Sequence, residues 1–280
     1  MTSFFEAVSD QAGKVLTALQ RATGSQVPVV PIVRLEGMIS AGGRNASALN
    51  LARVEKLLDK AFAMADAPAI ALSVNSPGGS PVQSRLIHER IRALAKTNDK
   101  TVLVFCEDVA ASGGYMIAAA GDEVFADPAS IVGSIGVISA NFGFTRAMEK
   151  LGVERRRKTA GKSKSLGDPF SEETEEQKAR LTRLMEQIHA QFIALVKDAR
   201  GDRLNGDMEL FDGSVFTGEE AVEAGLIDGL GEARSELQRR FGEKTRIKVL
   251  APARGGLLAR FMGSALDTLE SRDAWGRFGV

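Results

Sequence analysis

The chain has 280 residues, 44% of them hydrophobic, enough for one large domain or two small ones with a substantial core. Lys plus Arg and Asp plus Glu balance at 36 each, so the overall charge calls for neither nucleic acid nor an anionic membrane as a partner. The single cysteine, Cys106, cannot form an internal disulfide and falls in an apolar stretch, as suits a core residue in a reducing compartment.

In chain order, residues 1–27 place Phe4, Val8, Val15 and Leu19 on one helical face, with Glu6 and Asp10 interrupting any apolar run. No export or membrane-spanning pattern is evident, and a cytoplasmic location is expected. Val29 to Leu35 reads as a strand, Leu51 to Met64 as an amphipathic helix, Ala69 to Asn75 as a strand and Pro81 to Lys96 as a helix. Thr101 to Cys106 is a further strand, followed by a buried helix at Tyr115 to Ala120 and a short strand at Glu123 to Ala126. This βα alternation predicts an α/β fold with a mostly parallel sheet.

Beyond it, Thr145 to Leu151 reads as a helix, Val153 to Thr159 (VERRRKT) as a strand with a basic face, and Glu172 to Arg200 as a long amphipathic helix. A helix at Glu232 to Arg240 and a strand at Ile247 to Leu250 complete a domain over 28–250. The tail, 251–280, carries Leu257, Leu258, Phe261, Ala265 and Leu269 on one helical face. Such terminal faces pack on the same domain or on another subunit, with shallow membrane contact as the alternative.

Two glycine clusters each follow a strand and precede a helix: "SVNSPGGSPVQ" at 73–83 and "EDVAASGGYMIAAAG" at 107–121. Consecutive βα turns of a parallel sheet lie at one C-terminal edge, where such sheets bind ligands. There the N–H groups near Gly78 and Gly79 and those near Ser112 and Gly113 can converge as an oxyanion hole. Taken alone, the same residues also suit an N-cap serine, tight turns or a phosphate loop. "AGKS" at 160–163 is no P-loop, because that pattern requires glycine where Arg156 stands.

A serine nucleophile needs a base. The two histidines, His88 and His189, fall in helices dense in Arg and Glu and read as packed or solvated residues, so a Ser-His-Asp triad is not expected. A lysine can serve if burial lowers its pKa, and the loop "TAGKSKSLGDPFSEET" at 159–174 offers Lys162 and Lys164.

Five ordered motifs, "NSPGG" at 75–79, "ASGGY" at 111–115, "GSIGV" at 133–137, "KSLGDPF" at 164–170 and "FTGEEAVEAGLIDGLG" at 216–231, give the chain a clear resemblance over roughly 29–250. It resembles the signal peptide peptidase A family of serine peptidases, in its short, single-copy form. The resemblance implies a Clp-protease and crotonase-like fold and peptide-bond hydrolysis by a Ser-Lys dyad. It puts the nucleophile on Ser112, the general base on Lys164, the oxyanion donors on Gly79 and Gly113, and a lysine-orienting role on Ser134. It implies no metal or organic cofactor, signal peptides or other small peptides as substrates, and a homo-oligomeric ring whose active sites lie near subunit interfaces. An acyl-CoA enzyme on the same sheet edge and a non-catalytic interaction module are the alternatives, and neither needs a serine paired with a base.

Overall fold

A computed structural model of the chain describes residues 27–41, 48–161, 163–252, 275 and 278. The terminal helices expected over 1–27 and 251–280 lie almost wholly outside the described residues, as does Lys162. The order within 27–252 is β1 (Val29–Glu36), α1 (Leu51–Phe62), β2 (Ile70–Ser76), α2 (Pro81–Asn98), β3 (Val102–Ala111), α3 (Gly113–Ala118), β4 (Glu123–Ala126) and β5 (Ile131–Gly133). Then follow α4 (Thr145–Leu151), α5 (Glu175–Arg200), β6 (Val215–Thr217), α6 (Gly218–Glu223), β7 (Gly229–Leu230), α7 (Ala233–Phe241) and β8 (Arg246–Leu250).

The strands form one sheet in the order β6-β5-β3-β2-β1-β8, with β4 pairing β3 and β7 pairing β4. Every pairing is parallel except β5 with β6. The expected α/β architecture is what the chain adopts. Because a parallel sheet is covered on both faces, its central strands are buried almost throughout, as in β2, where only Asn75 is not fully buried. One face packs Val33, Leu35, Leu72, Val74 and Val104 against α1, α2 and α3; the other packs Ile32, Ala71, Leu103 and the stacked pair Phe105–Phe125 against Leu237 of α7.

Helix starts follow their caps. The Asn50 side chain accepts from Arg53 N–H at α1, Ser80 accepts from Gln83 N–H at α2 with Pro81 behind it, and Thr174 forms a capping box with Gln177 at α5. That box fixes the start of α5 at Glu175 rather than at Glu172.

Two segments depart from expectation. Strand β3 continues past Cys106 to Ala111, because Glu107 and Asp108 find partners on β1 and β2. Arg34 donates to both Glu107 carboxylate oxygens at 3.2 and 2.9 Å, the Ser73 hydroxyl donates to the same carboxylate, and Asn75 Nδ2 donates to Asp108 at 2.7 Å. Pairing with β2 jumps from Val74↔Cys106 to Ser76↔Ala110, a bulge that places Val109–Ala111 beside β5. The second departure is Val153–Thr159, which is exposed and forms no strand. Arg155 and Arg157 bond a side chain instead of supporting a ladder: both donate to Asp168, and the Arg155 bond foremost, with those from the Ser171 hydroxyl and Phe170 N–H, holds that carboxyl well below the usual range.

Among the described residues no helix is long and apolar enough to cross a membrane. Cys106 is buried and its thiol is pushed up to about 12 by that burial, as expected of a core cysteine.

The end of α5 is tied to the turn after α6 by a buried ion pair. Arg200, 2% exposed, donates to both Asp228 oxygens at 2.8 and 3.1 Å and to the Gly225 carbonyl at 2.9 Å. Burial would raise the Asp228 carboxyl, but the bonds from Arg200 and from Val124 N–H outweigh it and keep the group below its ordinary value. Replacing Arg200 by Met leaves the Asp228 carboxylate with Arg203 at 3.1 Å and the Val124 N–H, and is expected to cost about 1.5–3 kcal/mol in urea unfolding. In the unsubstituted protein the contribution of Asp228 should be complete above the ordinary carboxylate pKa of ~3.9 and be lost as pH falls through the lower folded-state value.

Candidate active site

The two glycine turns touch. Gly78, at φ +103°, packs so closely on the turn after β3 that an added Cβ would lie 2.8 Å from Ser112 Cβ, 2.9 Å from the Ala111 carbonyl and 3.0 Å from Gly113 N. Gly113 would in turn place a Cβ 2.3 Å from Ser84 Oγ and 3.4 Å from Gly79 N. Neither residue can carry a side chain without displacing backbone or α2, so both glycines are required by close approach.

The first turn is held from its other side by the segment after β1. Ile39 N–H donates to the Gly78 carbonyl and Ser80 N–H donates to the Ile39 carbonyl, each at 2.8 Å. The Ser76 hydroxyl donates to the Gly37 carbonyl at 2.7 Å and accepts from Gly78 N–H at 3.2 Å. Gly79 N–H sits between these bonds and, among the described residues, has no partner. Gly113 N–H, the first of α3, is likewise unpaired within its helix. Two unpaired amides thus lie beside one serine.

Ser112 itself has φ +53° and ψ −119°, a conformation that non-glycine residues adopt only under strain. Its backbone is bonded on both sides: its N–H donates to the Gly133 carbonyl at 2.8 Å and its carbonyl accepts from Met116 N–H at 3.0 Å. Its hydroxyl caps nothing and has no hydrogen bond among the described residues. An N-cap role is therefore not what places this serine.

The bond to Gly133 brings in Ser134, which is also at positive φ (+51°) and donates its N–H to the Ser214 carbonyl at 2.8 Å. Ser112, Gly79, Gly113 and Ser134 thus cluster at the C-terminal ends of β2, β3 and β5. Lys164 stands apart. It lies in the turns of 163–167, is exposed, and is not hydrogen-bonded through its side chain to Ser112 or Ser134 among the described residues. Among the described residues nothing gives Lys164 the burial expected of a lysine base.

Several supporting residues escaped the sequence reading. Tyr115, fully buried, donates its hydroxyl to the Leu226 carbonyl at 2.7 Å, and burial pushes its pKa upward. His88 Nδ1 lies 2.9 Å from the Met116 carbonyl and His189 Nε2 lies 2.9 Å from the Ile135 carbonyl, so each ring nitrogen carries the proton it donates there. Burial lowers the His88 pKa, with the Met116 bond opposing. Both histidines brace backbone carbonyls near the site, and neither is hydrogen-bonded to Ser112 among the described residues. Their partners lie in other elements, and no local sequence signal marks such pairings. Among the described residues no group of His, Cys, Asp and Glu is arranged to hold a metal ion.

The sequence model of Peptidase family S49 matches residues 94–245. A 240-residue stretch is 52% identical to a Brucella abortus protein named "Na(+)/H(+) antiporter NhaA", covering 85% of this chain and 33% of that one. The "Serine protease SPPA, chloroplastic" of Arabidopsis thaliana is 31% identical over 226 residues, 78% of this chain and 31% of that protein. The chain therefore spans about a third of the length of these relatives. Among solved structures, the 1510-N membrane-bound stomatin-specific protease aligns over 82% of this chain and 100% of its own, with 17% identity and a TM-score of 0.48.

Strain at Ser112 makes a stability prediction independent of activity. Glycine tolerates the positive φ and alanine does not, so Ser112→Gly should be more stable than Ser112→Ala by about 1 kcal/mol in denaturant unfolding. Equal stability of the two would show that the turn is not strained.

Proposed function

Since the chain belongs to Peptidase family S49, we propose that it is a serine endopeptidase that cleaves peptides through an acyl-enzyme, with Ser112 as nucleophile and Lys164 as general base. The observation that carries this reading is the unpartnered Ser112 hydroxyl on a strained turn, beside the free N–H groups of Gly79 and Gly113.

In this mechanism neutral Lys164 accepts the Ser112 proton as the oxygen attacks the scissile carbonyl. Gly79 and Gly113 N–H groups bond the oxyanion of the tetrahedral intermediate, and Ser134 orients the lysine. The protonated lysine then gives its proton to the leaving amine. Water, deprotonated by the same lysine, hydrolyses the ester and frees Ser112. The substrates are signal peptides released from their precursors or other small peptides. Lys164 is exposed on the single chain, so the dyad forms only when a homo-oligomer covers the loop 159–174 near a subunit interface. The lone, unpaired Cys106 fits a cytoplasmic location, with at most peripheral membrane contact.

A fluorophosphonate probe should label the purified protein at Ser112, and Ser112→Ala should abolish both labelling and peptide cleavage. Lys164→Arg keeps the charge but offers no usable base, since arginine stays protonated, and should reduce turnover at least ~100-fold. The double variant should lose little more than either single one, because members of a catalytic unit are non-additive. Near-normal cleavage by Lys164→Arg would sink the dyad.

A further inference from the structure

Asn75, the first residue of "NSPGG", has no part in the acyl-enzyme chemistry, yet its side chain fills an interval where β2 and β3 lose their ladder. The register runs to Val74↔Cys106 and resumes at Ser76↔Ala110, so Glu107, Asp108 and Val109 all stand opposite Asn75. Strand β3 also changes its other neighbour here, pairing with β4 through Cys106 and with β5 from Val109. Glu107 is held from β1 and β2 by Arg34 and Ser73. Asn75 holds the rest of the bulge: its Nδ2 donates to Asp108 Oδ2 at 2.7 Å and its Oδ1 accepts from Val109 N–H at 3.2 Å.

The chemistry of the two partners demands an amide. Turned over, it would set oxygen against the carboxylate and NH2 against the Val109 N–H. A carboxylate at this position would accept from Val109 but repel Asp108, and an apolar side chain would leave the Val109 N–H without its acceptor.

The placement of this clasp bears on the site. Gly79 is carried on the strand of Asn75 and Ser112 on the strand of Val109, and beyond the bulge a single backbone pair, Ser76↔Ala110, joins the two strands. Packing of Gly78 on the Ser112 turn limits how closely the strands approach, but a steric contact does not stop one from sliding along the other. Two directional bonds across the bulge do. The geometry points to Asn75 as a positioning residue whose side chain, clasping Asp108 and Val109, keeps the Ser112 hydroxyl in register with the Gly79 N–H. This inference rests on the peptidase reading, in which those two groups act on one carbonyl. Asn75 itself touches no substrate and moves no proton.

The test is the rate at which a fluorophosphonate probe labels Ser112 in the full chain, with the folded fraction of each variant measured by thermal unfolding. Misplacement of a reacting group by about 1 Å can cost ~100-fold, so Asn75→Ala should label about 10- to 100-fold more slowly per folded molecule. Asn75→Asp should be slowed likewise, because two carboxylates then face each other. Adding Asp108→Asn to Asn75→Asp puts the amide on β3 and the carboxylate on β2. The clasp re-forms with donor and acceptor exchanged, and labelling should return to within about 3-fold of the wild type, the coupling expected of residues in contact. A merely structural role would lower the unfolding temperature of Asn75→Ala and leave labelling per folded molecule unchanged. Should Asn75→Ala not fold, Asp108→Ala, at an exposed position, removes one of the two bonds and should still slow labelling about 5-fold. Wild-type labelling rates in the folded single variants, or an exchanged pair as slow as Asn75→Asp alone, would overturn the proposal. A wild type unlabelled at Ser112 would instead overturn the peptidase reading, and this inference with it.

Discussion

The contact between Gly78 and the Ser112–Gly113 turn is the constraint on which the site depends. Two chain segments from different βα units approach until no Cβ fits between them, and only the parallel pairing of β2 with β3 brings them there. The bulge at Glu107–Asp108 sets how far β3 extends and hence where Ser112 emerges. The charged side chains that would ordinarily end a strand are bonded by Arg34, Ser73 and Asn75 and prolong it. A polar cluster on the face opposite α1–α3 therefore determines the position of a hydroxyl at the end of the sheet.

Helix α3 has only six residues, too few to hold its own orientation, and its neighbours supply what it lacks. His88 bonds the Met116 carbonyl, Arg92 bonds the Ala120 carbonyl at 3.0 Å, and Tyr115 anchors to Leu226. Leu226 belongs to the turn that Arg200 and Asp228 pin to the end of α5. The distant "GLIDGLG" motif thus contributes to the placement of Ser112 without approaching it.

What the sequence disclosed was whatever is encoded locally. Apolar runs, caps and glycine turns depend on residues a few positions apart, so the βα order and the convergence of Gly79, Ser112 and Gly113 were readable. What depends on remote partners was not. The end of β3 was misplaced because the partners of Glu107 lie on β1 and β2. Val153–Thr159 reads from its sequence as a strand with a basic face, while Asp168, which binds Arg155 and Arg157, lies beyond it. The bracing roles of His88 and His189 depend on carbonyls in other elements. Lys164 is exposed on the single chain, and the chemistry proposed for it calls on surfaces beyond that chain.

The parallel pairing of β1 with β8 has a consequence for how the protein is made. Val29–Val33 wait for Arg246–Leu250, so this edge of β1 stays open until every element from α1 to α7 has been synthesised. An apolar strand with a bare hydrogen-bonding edge is a template for pairing with other nascent chains. Pro31 does not blunt that edge: Arg246 N–H donates to the Pro28 carbonyl, which turns residues 28, 30 and 32 toward β8 and leaves the proline's missing donor on the β2 side. Closure of the edge therefore rests on β8 itself, which meets β1 in a single register from Val29↔Arg246 to Val33↔Leu250.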